Sequence, residues 1–221
     1  MTPLIDATEM YLRTVWELEE EGITPIRARL VERLGLSAPA VSETVARLEQ
    51  EGLMRMSADR TLELTDEGRE VAVHVMRKHR LAELLLTDVI GLEWEQVHNE
   101  ACRWEHVISD TVEQRLIELL GSPTTCPHGN PIPGLTAAPE DDTLVTMVEA
   151  AKTSGRVTVR RISEKLQGDI EMMRFLRENG LRPDVTVTLS MQPNGIVAGI
   201  DGRSVTVDDE TAQLLYVSSH P

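Results

Sequence analysis

The feature that most limits how this chain can fold is a change of hydrophobic period across a proline-rich break. Up to Leu120 apolar residues recur at helical spacing, and beyond about Val148 short β-rich runs replace them. Between the two, Gly121 to Pro139 holds Pro123, Pro127, Pro131, Pro133 and Pro139 with Gly129 and Gly134, which reads as a linker with partly extended character. At 221 residues the chain exceeds the usual single domain. The reading is a mainly α protein with small β: a winged helix-turn-helix over residues 1–65, a helical domain over 66–121, a linker over 122–147 and a small β domain over 148–221.

Within the first part, Ala7 to Glu21 carries Met10, Leu12, Val15, Trp16 and Leu18 at helical spacing before Gly22. Ile26 to Leu34 forms a second, short helix ended by Gly35, and Ser37 caps a third, with Pro39 in its first turn and Val41, Val45 and Leu48 as its apolar stripe. Two short helices about a Gly-containing turn resemble a helix-turn-helix. Leu53 to Met56, a polar tip at Ser57 to Arg60, and Leu62 to Leu64 make a plausible wing. A long helix begins at Thr65-Asp66 and should end near Gly91; others run from about Trp94 to Ile108 and from Asp110 to Leu120. In the last part five strands are expected, at Val157 to Val159, Val185 to Leu189, Ile196 to Ile200, Ser204 to Val207 and Leu214 to Val217, with Asn194-Gly195 and Asp201-Gly202 as hairpin turns. One helical stretch, Ser163 to Asn179, lies between the first two strands and stops at Gly180.

No run approaches the eighteen or so apolar residues of a membrane span, and Met1 to Met10 has no signal-peptide pattern. A cytoplasmic protein is expected, with Cys102 and Cys126 as reduced thiols. The net charge of −15 excludes a general nucleic-acid coating protein, whose affinity comes from cations neutralising phosphate. A DNA surface on this chain must be a local patch relying on base contacts and helix termini as well as charge. On the third helix Ser37, Pro39, Ala40, Ser42, Glu43 and Arg47 would face a major groove, and Arg27, Arg29 and Arg60 could meet phosphate. Up to Met76, however, eight arginines and no lysine stand against fifteen acids, so a helical module that docks on protein is the alternative.

His98, Cys102, Glu105 and His106 fall on one face of the helix from Trp94. A thiolate, imidazoles and a carboxylate suit Fe²⁺, Co²⁺, Ni²⁺ or Zn²⁺ better than Mg²⁺ or Ca²⁺. The bland alternative is an amphipathic helix with a core cysteine and solvated charges. On the preceding helix His79 and Glu83 are i, i+4 partners, a spacing that can clamp an ion but is common on surfaces.

Several longer segments carry a resemblance: Thr8 to Thr14, Val45-Ala46-Arg47, Val75 to Glu83, Glu100 to His106 and Gly129 to Gly134. They closely resemble the diphtheria toxin repressor family of iron-dependent regulators, strongly from about Leu4 to Leu135 and more loosely beyond. The resemblance implies a winged-helix domain, a helical metal-binding and dimerisation domain, and a C-terminal SH3-like β-barrel. It implies a homodimeric repressor that binds palindromic operators in double-stranded DNA of iron-homeostasis genes when Fe²⁺ is bound, with Co²⁺, Ni²⁺, Zn²⁺ or Mn²⁺ as substitutes in vitro. Carried over, the regulatory metal site would be Met10, Cys102, Glu105 and His106, with the Cys102 carbonyl as a further donor. The ancillary site would be His79, Glu83 and His98, joined by Glu164 and Gln167 from the barrel domain.

Four positions depart from the family pattern. Glu43 stands where close relatives have Gln, and a carboxylate cannot make an amide's bidentate contact to adenine. Gln50 replaces an Arg, Cys126 a Ser and His128 an aromatic residue. The last two are either neutral changes in a flexible segment or an extra thiolate or imidazole near the ancillary metal. Alternatives to the iron-dependent repressor are the same regulator answering Mn²⁺ or another divalent ion, a metalloenzyme using the Cys/Glu/His centre, and a winged-helix regulator sensing an organic ligand.

Overall fold

The computed structural model describes residues 6–135, 144–153 and 155–219. Helix α1 (Ala7–Glu20) starts where the Asp6 carboxylate accepts from the Thr8 and Glu9 amides; α2 (Arg27–Leu34) ends at left-handed Gly35; and Ser37 caps α3 (Ala38–Gln50). Strands β1 (Met54–Met56) and β2 (Leu62–Leu64) pair antiparallel as the wing, with Met54 opposite Leu64. Leu12, Val15 and Leu18 of α1 meet Leu30, Val41, Val45 and Leu48 in one core beneath it.

Helix α4 (Asp66–Leu84) rises from the wing, and the expected single helix to Gly91 changes character first. Leu85–Ile90 is π-helical, with the Thr87 hydroxyl donating to the Glu83 carbonyl at 2.8 Å. Such widened turns collect at functional sites, and this one follows Glu83 directly. Helix α5 covers only Val97–Trp104, shorter than the expected Trp94 to Ile108. Trp94 belongs to the C-terminal core instead, its indole N–H donating to the Pro127 carbonyl at 3.1 Å. Helix α6 (Asp110–Leu119) is capped by Ser109 and completes the helical domain.

The expected linker needs correction. Residues 136–143, including Pro139, lie outside the described residues, but Cys126, His128, Asn130 and Ile132 are buried. Thr125 bridges Pro131, the Cys126 amide donates to the Asn130 carbonyl at 2.8 Å and that of Gly129 to the Cys126 carbonyl at 3.0 Å, so residues 126–130 form a tight turn wedged between domains. A Cβ on Gly129, which sits at φ 83°, would meet the Arg160 carbonyl oxygen at 1.8 Å; only glycine allows this approach.

The C-terminal domain adds a strand to the five expected. Strand β3 (Val145–Thr146) precedes α7 (Met147–Ala151), β4 (Arg156–Ile162), α8 (Glu164–Gln167), α9 (Ile170–Glu178), β5 (Thr186–Gln192), β6 (Gly195–Ile200), β7 (Arg203–Val207), α10 (Asp209–Ala212) and β8 (Leu215–Ser219). The antiparallel sheet runs β3-β8-β4-β5-β6-β7. The helical stretch expected from Ser163 to Asn179 is two helices, because the Asp169 carboxylate accepts from the Glu171 and Met172 amides and starts the second. No helix among the described residues is long and apolar enough to cross a membrane.

Candidate metal centre

The side chains that could hold metal meet where α1, α4, α5, the 126–130 turn and α8 converge. His79 and Glu83 sit one turn apart on α4, and His98 and Cys102 one turn apart on α5, so two helices each offer two donors to a shared seam. The His79 Nε2 lies 3.1 Å from Glu83 Oε1, 3.2 Å from His98 Nδ1 and 3.6 Å from Glu164 Oε2. The His98 Nδ1 lies 3.3 Å from Glu83 Oε1 and 3.2 Å from Glu164 Oε2. His79, Glu83, His98 and Glu164, all buried, therefore present four donor atoms to one point. Three come from the helical domain and Glu164 from the barrel domain. Glu83 Oε2 and Glu164 Oε2 are buried without a hydrogen-bond partner; the His98–Glu164 pair is close but shares no well-placed hydrogen. Two carboxylates and two imidazoles gathered in this way, away from water, suit a cation. Gln167 is buried beside the cluster rather than within it. Its amide donates to the Ile162 carbonyl at 2.7 Å, and its Oε1 is left without a partner.

The outer nitrogens of both imidazoles face the second group of donors. His79 Nδ1 lies 2.6 Å from Glu105 Oε2, and His98 Nε2 lies 3.5 Å from Cys102 Sγ. If these outer nitrogens carry the hydrogens, the inner ones are left as bare donors, the arrangement by which anionic partners fix histidine tautomers at metal sites.

The regulatory set lies on the other side of these rings. Glu105 and His106 leave the end of α5, with His106 Nε2 3.2 Å from Glu105 Oε1 and His106 Nδ1 2.5 Å from Glu9 Oε2 on α1. Met10 and Cys102 line one cavity of about 430 Å³. The same cavity is lined by a residue that sequence reasoning missed, Arg13. Nη1 of Arg13 lies 2.7 and 2.6 Å from the two Glu105 oxygens and 3.5 Å from Cys102 Sγ, while its Nε donates to Glu17 at 2.5 Å. Arg13 is one turn beyond Met10 and one before Glu17 on α1, and that i, i+3 and i+4 spacing was the available signal. Because Arg13 draws in Glu105 and Glu9 draws in His106, the ligand-spaced groups of described residues join Cys102 to His79 and His98 and leave out Glu105 and His106.

The electrostatics are those of an anionic pocket around a cation. Burial works against ionisation of Glu105, but the Arg13 charge and the His79 bond outweigh it and hold its pKa at about 2. Burial likewise opposes a thiolate at Cys102, yet Arg13 and His98 bring the thiol well below its usual range. Burial and then Arg13 act against protonation of His79, but Glu83 and its other anionic neighbours prevail and raise its pKa. A guanidinium in contact with a thiolate and a carboxylate is a stand-in for a metal ion, so the residues present fit one.

A second buried cation ties the domains together. Arg80, fully buried on α4, donates to Glu20 of α1 at 2.6 Å and to Glu164 of α8 at 3.0 Å, and also reaches the Pro131 carbonyl.

On the expected DNA face, Ser37, Pro39, Ala40, Glu43 and Arg47 are exposed and Ser42 is half-buried. Arg47 is held by Glu51 at 2.8 Å and by Thr8 at 3.3 Å. Arg29 pairs with Glu32 at 3.0 Å, the half-buried Arg27 has an unpartnered Nε, and Arg60 is exposed at the wing tip.

Comparison with known proteins assigns a family to each of the three domains. Residues 3–62 fit the iron dependent repressor N-terminal DNA binding domain, residues 65–134 the iron dependent repressor metal binding and dimerisation domain, and residues 146–219 the FeoA domain. The chain belongs to the iron-dependent repressor family. It is 52% identical over 227 residues to the iron-dependent repressor IdeR of Mycobacterium tuberculosis, covering 98% of this chain and 99% of that one. Identity to the diphtheria toxin repressor of Corynebacterium diphtheriae is 45% over 223 residues, with 98% and 99% covered. Among solved structures, a manganese-dependent transcriptional repressor in complex with manganese superposes with a TM-score of 0.83 at 30% identity, covering 97% and 100%. The T. acidophilum IdeR superposes at 0.77 with 28% identity, covering 96% and 97%. The chain is accordingly a metal-dependent transcriptional repressor with a DNA-binding domain, a metal-binding and dimerisation domain and an SH3-like C-terminal domain.

Proposed function

We propose that this repressor binds palindromic double-stranded operators of iron-homeostasis genes as a homodimer when Fe²⁺ joins α1 to α5. The observation that carries the reading is Arg13, a cation on the DNA-binding domain held by Glu105 and Cys102 of the helical domain. Met10, Cys102, Glu105 and His106 would hold the regulatory ion, and His79, Glu83, His98 and Glu164 the ancillary one, with Gln167 beside it. When bound, the metal supplies a divalent charge that binds the domain-closed arrangement more tightly than the open one, which is the only way a ligand shifts such an equilibrium. For the regulatory donors to converge, Arg13 must release Glu105 and His106 must release Glu9. Both partners lie on α1, whose first turn packs against the end of α3 through Thr8 and Arg47. Re-pairing at the metal is thereby transmitted to the helix that faces DNA.

Cys102 favours iron over manganese, since Mn²⁺ prefers oxygen donors. Dimerisation would use the exposed apolar residues of the helical domain, Ile90, Val107, Val112 and Leu119, the most exposed being Val107 at 71%. The test is operator binding titrated anaerobically with Fe²⁺, Mn²⁺, Co²⁺, Ni²⁺ and Zn²⁺ and reversed with chelator. Fe²⁺-activated, chelator-reversible binding is expected; DNA binding indifferent to chelator would refute metal control, and activation by Mn²⁺ without Fe²⁺ would refute the choice of metal.

A further inference from the structure

Glu83 also meets the 126–130 turn. There Cys126 and His128, two residues apart and both buried, place a sulfur and an imidazole nitrogen within 4.8 Å of each other and of a Glu83 oxygen. The His128 ring is fixed on both sides. Its Nε2 lies 3.4 Å from the Trp94 carbonyl, which can only accept, so Nε2 carries the hydrogen. Its Nδ1 lies 3.2 Å from Glu83 Oε1, in a geometry that gives it no hydrogen-bond partner. An imidazole nitrogen held this close to a carboxylate oxygen away from water costs free energy unless a proton or a metal cation lies between them. The spacing suits a metal: donors about 2.0–2.3 Å from a tetrahedral ion lie about 3.3–3.8 Å apart. Hydrogen bonds to Ile162 hold the turn in place independently of any ligand: the Ile162 backbone amide donates to the His128 carbonyl at 3.0 Å and the Asn130 side-chain amide donates to the Ile162 carbonyl at 2.9 Å.

We infer that Glu83, Cys126 and His128 form a third metal site, taking a borderline-soft divalent transition ion and sharing the Glu83 carboxylate with the ancillary cluster. Glu83 Oε1 lies within 3.3 Å of His79 Nε2, His98 Nδ1 and His128 Nδ1, and Oε2 has no partner; a carboxylate so placed can bridge two ions. Binding converts the Cys126 thiol to a thiolate and releases its proton to solvent. Arg80, the nearby cation, does not compete, because Glu20 and Glu164 hold it. The ion joins α4 to the turn that carries the barrel domain. It therefore fixes the barrel against the helical domain without touching α1, and its role is separable from that of the regulatory site.

The experiment uses the full-length chain loaded anaerobically with Co²⁺ and desalted, with bound ions counted by mass spectrometry and the thiolate-to-cobalt charge-transfer band recorded. The wild-type chain is expected to keep one ion more per chain than Cys126→Ser and His128→Phe. Cys102→Ser is expected to retain a charge-transfer band that Cys102→Ser/Cys126→Ser lacks. If Cys126→Ser does not fold, judged by circular dichroism, His128→Phe carries the count, and the band in Cys102→Ser needs neither variant. Equal ion counts in the wild-type chain and a folded variant, or a folded Cys102→Ser without the band, would overturn the site. Metal-dependent operator binding, measured in parallel, should survive both turn variants; its absence from the wild-type chain would refute the proposed repressor mechanism and leave the ion count standing as the test of this site.

Discussion

The Arg13 contact makes a prediction that is counter-intuitive for a residue inside a metal centre: removing it should tighten metal binding. Nη1 of Arg13 straddles both Glu105 oxygens at 2.7 and 2.6 Å, and the side chain is only 11% exposed, so the bond is sheltered from water. Glu105 and Cys102 cannot turn to an ion until this cation leaves. A hydrogen bond to a charged group contributes about 1.5–3 kcal/mol, and each 1.4 kcal/mol or so is a tenfold change in affinity. Arg13→Met keeps the length and the apolar contacts while deleting the charge. The metal concentration at half-maximal operator binding should fall about tenfold to a hundredfold. The metal-free chain should lose stability by a similar energy, because Glu17 and Glu105 stay buried without their partner. Both effects have the same sign, since the ion then repairs an uncompensated anionic pocket. The assay is fluorescence anisotropy of labelled operator over a chelator-buffered metal series, with urea unfolding of the metal-free protein as control. If Arg13→Met needs as much metal as the wild-type chain, or more, Arg13 is a partner of the metal-bound state and the displacement argument is wrong.

Three further outcomes are expected. Met10→Ala should raise the metal needed for operator binding while leaving metal-independent dimerisation, measured by sedimentation, unchanged; intact metal activation would remove Met10 from the regulatory set. Leu119→Glu places a charge on an apolar side chain that is 63% exposed in the single chain, and should weaken dimerisation on the order of tenfold or more in a dilution series. Burial, and then the Glu21 charge, push the Tyr216 phenol up to about 12. Between about pH 10 and 12 the unfolded chain has lost that proton while the folded one keeps it, so stability falls as pH rises through this window. Tyr216→Phe should flatten that slope in urea denaturation, and a slope unchanged by the substitution would contradict the shift.

What could be read from the sequence was whatever local rules decide. Ser37 before Ala38 and Pro39, Gly35 after Leu34, and the i, i+4 spacing of His79 with Glu83 and of His98 with Cys102 are all dictated within a turn or two of chain, and the elements formed there. The failures occur where distant contacts override local preference. Trp94 looks like the start of a helix but is drawn into the barrel core, and the Asp169 cap divides a stretch whose periodicity looked continuous. The proline-rich composition after Gly121 suggested a linker with partly extended character, yet hydrogen bonds to Ile162 and the Gly129–Arg160 approach fold that segment into a wall between domains. Arg13 was overlooked for a related reason: its spacing from Met10 is local, but its meaning depends on Glu105, ninety-two positions away.

The same geometry bears on why the two principal sites should not act independently. Each imidazole of the ancillary cluster turns its outer nitrogen to a donor of the regulatory cluster, His79 to Glu105 and His98 to Cys102. An ion held by the inner nitrogens would polarise both rings and strengthen the hydrogen bonds their outer nitrogens make. That would orient Glu105 and Cys102 while drawing on the same lone pairs Arg13 now uses. Glu164 adds a mechanical constraint, because it serves the ancillary cluster and also anchors Arg80, whose other carboxylate partner, Glu20, lies on α1. The barrel domain thus reaches α1 through this buried guanidinium as well as through Arg161, which lies 3.0 Å from Glu20, and an ion in the ancillary cluster would compete with Arg80 for the Glu164 charge. Linkage then requires that whatever one site does to the other's affinity is returned in equal measure. A regulatory site that opened by displacing Arg13 and an ancillary site that relaxed Arg80 would both act on α1, so the metal signal would reach the DNA-binding domain through the release of these two arginine contacts together.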